Sequence, residues 1–173
     1  LTTKLLSALF QTIASHCIDT LEEHQRLPNL QKFIVDAFYS KLKYSGWGGA
    51  LPDLSGPELE SIEGALKHSI ALMDQIHIST VQYIKRRSFG VVTPYQGALL
   101  GFQDVLIPLV QALARLEIVP KAPIYFLLDD ADNLTEQQTQ VLNTWVSYRT
   151  TGQLSLKVST QLNYKTYRTT SGM

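Results

Sequence analysis

The chain has 173 residues, 45% of them apolar, and its 15 basic side chains are balanced by 15 acidic ones. Such a composition describes a globular chain with a sizeable core and excludes a long disordered tail. Zero net charge gives nucleic acid no electrostatic footprint beyond a local patch, and no stretch is long and apolar enough to span a bilayer as a helix.

The single Cys17 excludes an internal disulfide framework and fits a reducing, cytoplasmic setting. The chain opens without Met inside an expected helix and closes just after an expected strand, so it reads as an excerpt of a longer protein. Across 1–26, Leu5, Leu6, Leu9, Phe10, Ile13, Cys17, Ile18 and Leu21 recur at helical spacing and predict an amphipathic helix. Pro28 is expected to interrupt it and open a second helix, with Leu30, Phe33, Ile34, Ala37, Phe38 and Leu42 on one side. The stretch YSGWGGALPDLSGPE (44–58) reads as loop. A third helix after Pro57 would bury Leu59, Ile62, Leu66, Ile70, Met73 and Ile76. Residues 77–93, HISTVQYIKRRSFGVVT, mix β-branched and basic side chains and support no single assignment. Pro94 is placed to open a long helix over 95–117, which Pro108 should kink or split.

Ile124–Leu128 is a continuous apolar run, the pattern of a strand covered on both faces. Thr135 can cap a helix with Gln138 as its capping-box partner, and that helix should end near Arg149, with Gly152 placed to terminate it. LSLKVST (154–160) reads as a second strand. Strand, helix and strand in this compass form a βαβ unit with parallel strands. The expected fold class is α/β, with a mainly helical segment over 1–118 and a strand–helix–strand segment over 119–173.

The first strand runs straight into Asp129, Asp130 and Asp132. In open α/β sheets ligands bind beyond the carboxyl ends of strands, where a carboxylate can hold Mg²⁺ while its neighbour orients an attacking water. Acidic residues before a helix are also favoured by its macrodipole, so plain helix capping is the competing reading. The second strand ends in three polar residues, Ser159, Thr160 and Gln161.

Together, IYFLLDDADNL and LSLKVSTQ resemble the Walker B and sensor 1 segments of AAA+ ATPases, nearest to the origin-recognition initiator-type branch. The likeness spans residues 120–168 and implies a P-loop NTPase-like, parallel-sheet fragment with a large helical portion before it. It implies ATP and Mg²⁺ as cofactors, with Asp129 on the metal and Asp130 in the catalytic acidic position, which is usually Glu. Thr160 or Gln161 would serve as sensor 1, where Asn is commoner. Arg168 falls where such proteins carry an arginine finger for a neighbouring subunit, and a solvated basic residue is its plainer reading. The resemblance further implies self-association through ATPase interfaces.

No G-x-x-x-x-G-K-[ST] phosphate loop occurs in the sequence. GWGGALPDLSG (46–56) and GVVTPYQGALLG (90–101) are glycine-rich but lack its lysine. ATP hydrolysis therefore requires a phosphate loop upstream of this segment. The alternative is a non-catalytic helical interaction or scaffold module whose acidic cluster only caps a helix. His16, His24, His68 and His77 show no metal-ligand spacing, and Lys85, Arg86 and Arg87 form the one basic run.

Overall fold

The computed structural model describes residues 1–17, 23–51, 56–148, 152–161 and 164–172, which fall in two compact units, Leu1–Pro120 and Lys121–Met173. The N-terminal unit is helical. Its first helix, α1 (Thr2–Cys17), buries Leu5, Leu6, Leu9, Phe10 and Ile13, the stripe set by the sequence periodicity. Ile18 and Leu21 lie outside the described residues.

Helix α2 (Glu23–Lys32) passes without a break through a π-helical segment (Phe33–Tyr39) into α3 (Ser40–Tyr44). Pro28 lies inside α2 rather than interrupting the helix. Its ring forfeits one backbone hydrogen bond, at a cost of about 3 kcal/mol in a helix interior. Complete burial of Leu30, Ile34, Phe38 and Leu42 just downstream offsets that loss.

The long helix α4 (Ile62–Ser88) forms the spine of this unit, and both α1 and α2 pack on it. Ser61 caps its start by accepting a hydrogen bond from the Gly64 amide at 2.9 Å. Leu66, Met73 and Ile76 on its inner face are buried, whereas Ile70 is only half-buried. The helix continues through the unassigned stretch to Ser88, with Lys85, Arg86 and Arg87 exposed in a last turn whose dipole favours cations. Gly90, at φ +81°, then closes it. Its amide bonds the Arg87 carbonyl and the Val91 amide bonds that of Arg86, the two bonds of a Schellman motif.

The long helix expected over 95–117 is much shorter. Residues 91–101 are irregular, and helix begins only at a π-helical segment (Phe102–Leu106) that leads into α5 (Ile107–Leu113). Gly97 and Gly101 weaken helix across the first half. Pro108 does not split the remainder. The ladder ahead of it is already widened to five-residue spacing, as in the bond from the Leu106 amide to the Gly101 carbonyl at 3.2 Å, so the proline falls where the register is changing.

The C-terminal unit holds β1 (Ile124–Leu128), a short 3₁₀ turn (Ala131–Asn133), α6 (Glu136–Ser147) and β2 (Leu154–Val158). The strands pair in parallel, with Ile124 opposite Leu154 and Leu128 opposite Val158. Helix α6 ends at Ser147, close to the expected end near Arg149, and residues 149–151 lie outside the described residues. The expectation of a strand covered on both faces does not hold. Phe126 is buried on one face, but on the other Tyr125 is 55% exposed and Leu127 is 76% exposed. A continuous apolar run cannot by itself report which face finds a partner. Among the described residues, no helix is long and apolar enough to cross a membrane.

Phe38 is fully buried and meets Phe10 edge-on, their ring centroids 5.3 Å apart. Phe38→Ala should therefore cost about 3–5 kcal/mol in a denaturant titration. A loss below about 1 kcal/mol would mean that this contact does not anchor α1 to the α2–α3 run.

Candidate functional site

The ends of β1 and β2 are tied together at the acidic cluster. The Ser159 amide donates to the Leu128 carbonyl at 2.9 Å, and the Ala131 amide donates to the Ser159 carbonyl at 3.1 Å. Parallel pairing is thereby carried one residue past each strand and brings the side chains of Asp129 and Ser159 together. The Ser159 hydroxyl donates to Oδ1 of Asp129, and the Asp130 amide donates to the same oxygen at 3.0 Å. Both bonds favour the ionised form. The Asp129 carboxyl is accordingly held below its ordinary value, chiefly by Ser159 and then by the Asp130 amide.

Among the described non-glycine residues, Asp130 alone has a positive φ, at φ 52° and ψ 45°. Aspartate tolerates this left-handed conformation better than most residues, and here it turns the chain sharply out of the strand. The 3₁₀ turn follows, and Thr135 then caps α6. Its hydroxyl accepts from the Gln138 amide at 3.3 Å, while the Gln138 side chain accepts from the Thr135 amide at 2.9 Å. That reciprocal pair is the capping box predicted from the sequence.

The polar residues after β2 divide their roles. Ser159 contacts the acid directly, whereas the Thr160 hydroxyl turns to the Gln161 carbonyl at 3.1 Å. The Gln161 amide donates to Oδ1 of Asp132 at 3.4 Å, so Gln161 meets the cluster through its backbone. Asp129, Asp130 and the side chains at 159–161 are all exposed. Arg168 is also exposed, and its position is set by Asn143 on α6. The Asn143 amide donates to the Thr166 carbonyl at 2.8 Å and to the Arg168 carbonyl at 2.9 Å, and its oxygen accepts from the Tyr164 hydroxyl at 2.5 Å. Sequence reasoning missed Asn143, because a polar residue on a helix carries no local mark of such a long-range role.

Oδ1 of Asp129 accepts both hydrogen bonds, which leaves Oδ2 and its negative charge facing solvent. One carboxylate of this kind suits Mg²⁺ held mainly by waters and phosphates, rather than an all-protein cage. Among the described residues, no group of three or more His, Cys, Asp or Glu side chains could hold a metal ion on its own. His16 bonds the Thr12 carbonyl at 2.9 Å, His77 lies 3.5 Å from the Thr3 hydroxyl, and His68 meets the Tyr39 ring edge-on. The side chains of Cys17 and His24 lie outside the described residues.

The family model described as ORC-CDC6-like matches residues 1–173, the full length of the chain. Comparison with curated proteins and with solved structures gives no match.

Because Asp129 has a depressed value in the folded chain, its stabilising contribution is present above the ordinary carboxylate range. It is lost as pH falls through the depressed value. Ser159→Ala removes the larger cause and should raise the Asp129 titration midpoint, as read by carboxyl carbon NMR. An unchanged midpoint would show that the serine hydroxyl does not hold this acid.

Proposed function

The chain belongs to the ORC-CDC6-like family, and on that premise we propose that it is the central segment of an initiator-type AAA+ ATPase module. In this reading the β1 and β2 ends supply the acidic and sensing side of an ATP·Mg²⁺ site in a P-loop NTPase-like sheet. The hydrogen bond from Ser159 to Asp129 carries the proposal, because it couples the polar end of one parallel strand to the acidic end of the other. A nucleotide-dependent shift at either end would be felt by its partner.

The residues would divide the work. Asp129, kept ionised by two donors, would hold the Mg²⁺ shell through its free oxygen. The bound cation would neutralise phosphate charge. Asp130 projects from the left-handed turn next to it and would orient the attacking water, with a shorter reach than the usual Glu. Thr160 and Gln161 lie beyond the strand end, where a γ-phosphate sensor belongs. Arg168 is exposed on a segment that Asn143 fixes in place, as a residue offered to a neighbouring subunit must be. Self-association through that surface is part of the proposal, and so is a phosphate loop supplied from outside residues 1–173.

The absence of G-x-x-x-x-G-K-[ST] from the sequence favours a second reading, a non-catalytic interaction or scaffold module. There the Asp129–Ser159 contact and the capping box would serve only to join β1, α6 and β2.

Two substitutions separate these readings in a protein that carries a phosphate loop together with this segment. Asp129→Asn should weaken Mg²⁺-dependent ATP binding by tenfold or more, on the order of 1.4 kcal/mol. Asp130→Asn should retain bound ATP and stop turnover in a single-turnover assay. If both variants bind and hydrolyse ATP like the parent, Asp129 and Asp130 do not serve the nucleotide site and the proposed reading of this segment is wrong.

A further inference from the structure

The two glycine-rich stretches that lack a phosphate-loop lysine meet in the N-terminal unit. The Leu99 amide donates to the Ser45 carbonyl at 2.8 Å, and a Cβ on Gly46 would lie 3.6 Å from the Gly97 carbonyl oxygen. Between them and the last turns of α4 opens a cleft of about 620 Å³, within the range of small-molecule sites.

One wall of the cleft is a single face of α4, with Gln82, Tyr83 and Arg86 at helical spacing above Ile76. The other wall is the irregular segment 93–98, which carries Tyr95 and Gln96. The Tyr83 and Tyr95 rings form a tilted pair with centroids 5.0 Å apart. Tyr95 is fixed in place. Its hydroxyl lies 2.9 Å from that of Thr80 and donates to the Ala98 carbonyl at 3.3 Å, and any side chain at Gly97 would collide with its ring. The Trp47 indole also lines the cleft and lies against Gly49, and among the described residues its buried Nε1–H has no hydrogen-bond partner.

The chemistry of the lining narrows the ligand. Aromatic rings offer stacking, the amides of Gln82 and Gln96 offer paired donors and acceptors, and Arg86 offers a planar cationic fork. Among the described residues, no carboxylate lines the cleft. An apolar ligand would leave the amides and the guanidinium unused, and a bare anion would leave the rings unused. We propose that this cleft binds a nucleoside monophosphate, with the base against Tyr83 and Tyr95, its edge on the glutamines and the phosphate on Arg86. The site needs no divalent cation and makes no use of Asp129.

The test is a calorimetric titration of the full chain, in EDTA, with the four common ribonucleoside monophosphates, their nucleosides and inorganic phosphate. The Trp47 indole NH signal, assigned by comparison with Trp145→Phe, reports where binding occurs. At least one monophosphate should bind saturably and shift Trp47, while its nucleoside and inorganic phosphate each bind about tenfold or more weakly. Arg86 is exposed, so Arg86→Gln leaves the fold intact and should reduce the monophosphate to the affinity of its nucleoside. Asp129→Asn should leave this binding unchanged. The proposal is overturned if no monophosphate saturates, if phosphate-bearing and phosphate-free forms bind alike, or if affinity follows Asp129 rather than Arg86.

Discussion

Parallel pairing of β1 with β2 is the constraint on which the acidic site depends. Two parallel strands cannot be closed by a tight turn, so the chain must leave β1, cross over as a helix and return. The crossover is short, and α6 starts only a few residues beyond Leu128. A left-handed Asp130, one 3₁₀ turn and a reciprocal cap at Thr135 achieve that reversal. Three carboxylates are thereby placed on the turn at the strand end. The returning strand then brings Ser159 beside Asp129, across a sequence gap of 30 residues. The backbone bonds that tie the strand ends thus bring Ser159 to the acid, and its hydroxyl with the Asp130 amide sets the ionisation of Asp129.

The helical unit meets a different problem, which is to keep long helices continuous through prolines. Pro28 is carried inside α2 by the burial that follows it, and Pro108 lies where a π-helical segment gives way to α5. Wider turns displace side chains from the ideal face, yet Phe33, Ile34, Phe38 and Tyr39 are all buried within one such segment. Packing of an apolar face thus outweighs local helix preference. Where no such packing is available, between Gly90 and Gly101, the chain stays irregular and forms one wall of the aromatic cleft.

The legible features were those written in short range. Thr135 and Gln138 are three residues apart and declare their capping box, and the apolar stripes of α1 and α4 follow a helical period. β1 and β2 were legible as runs, and their parallel sense followed from the spacing between them. The illegible features were set by partners distant in sequence. Nothing in IYFLL reveals that Tyr125 and Leu127 face outward, since exposure depends on what covers the sheet. Ser159, rather than Thr160 or Gln161, contacts the acid because the register of the strands decides which hydroxyl faces Asp129. The cleft was invisible for the same reason. Its walls come from residues 79–86, in a stretch that supported no single assignment, and from residues 93–98, most of which read as the start of a helix but form an irregular segment.

The most direct measurement follows the Asp129 carboxyl carbon and the Ser159 amide by NMR while ATP is added, first in EDTA and then with excess Mg²⁺. If the strand ends form the acidic side of a nucleotide site, both signals shift together, and they do so only when Mg²⁺ and ATP are both present. If neither signal moves in a sample that binds ATP·Mg²⁺, the acidic cluster is not part of the nucleotide site and its role is confined to joining β1, α6 and β2.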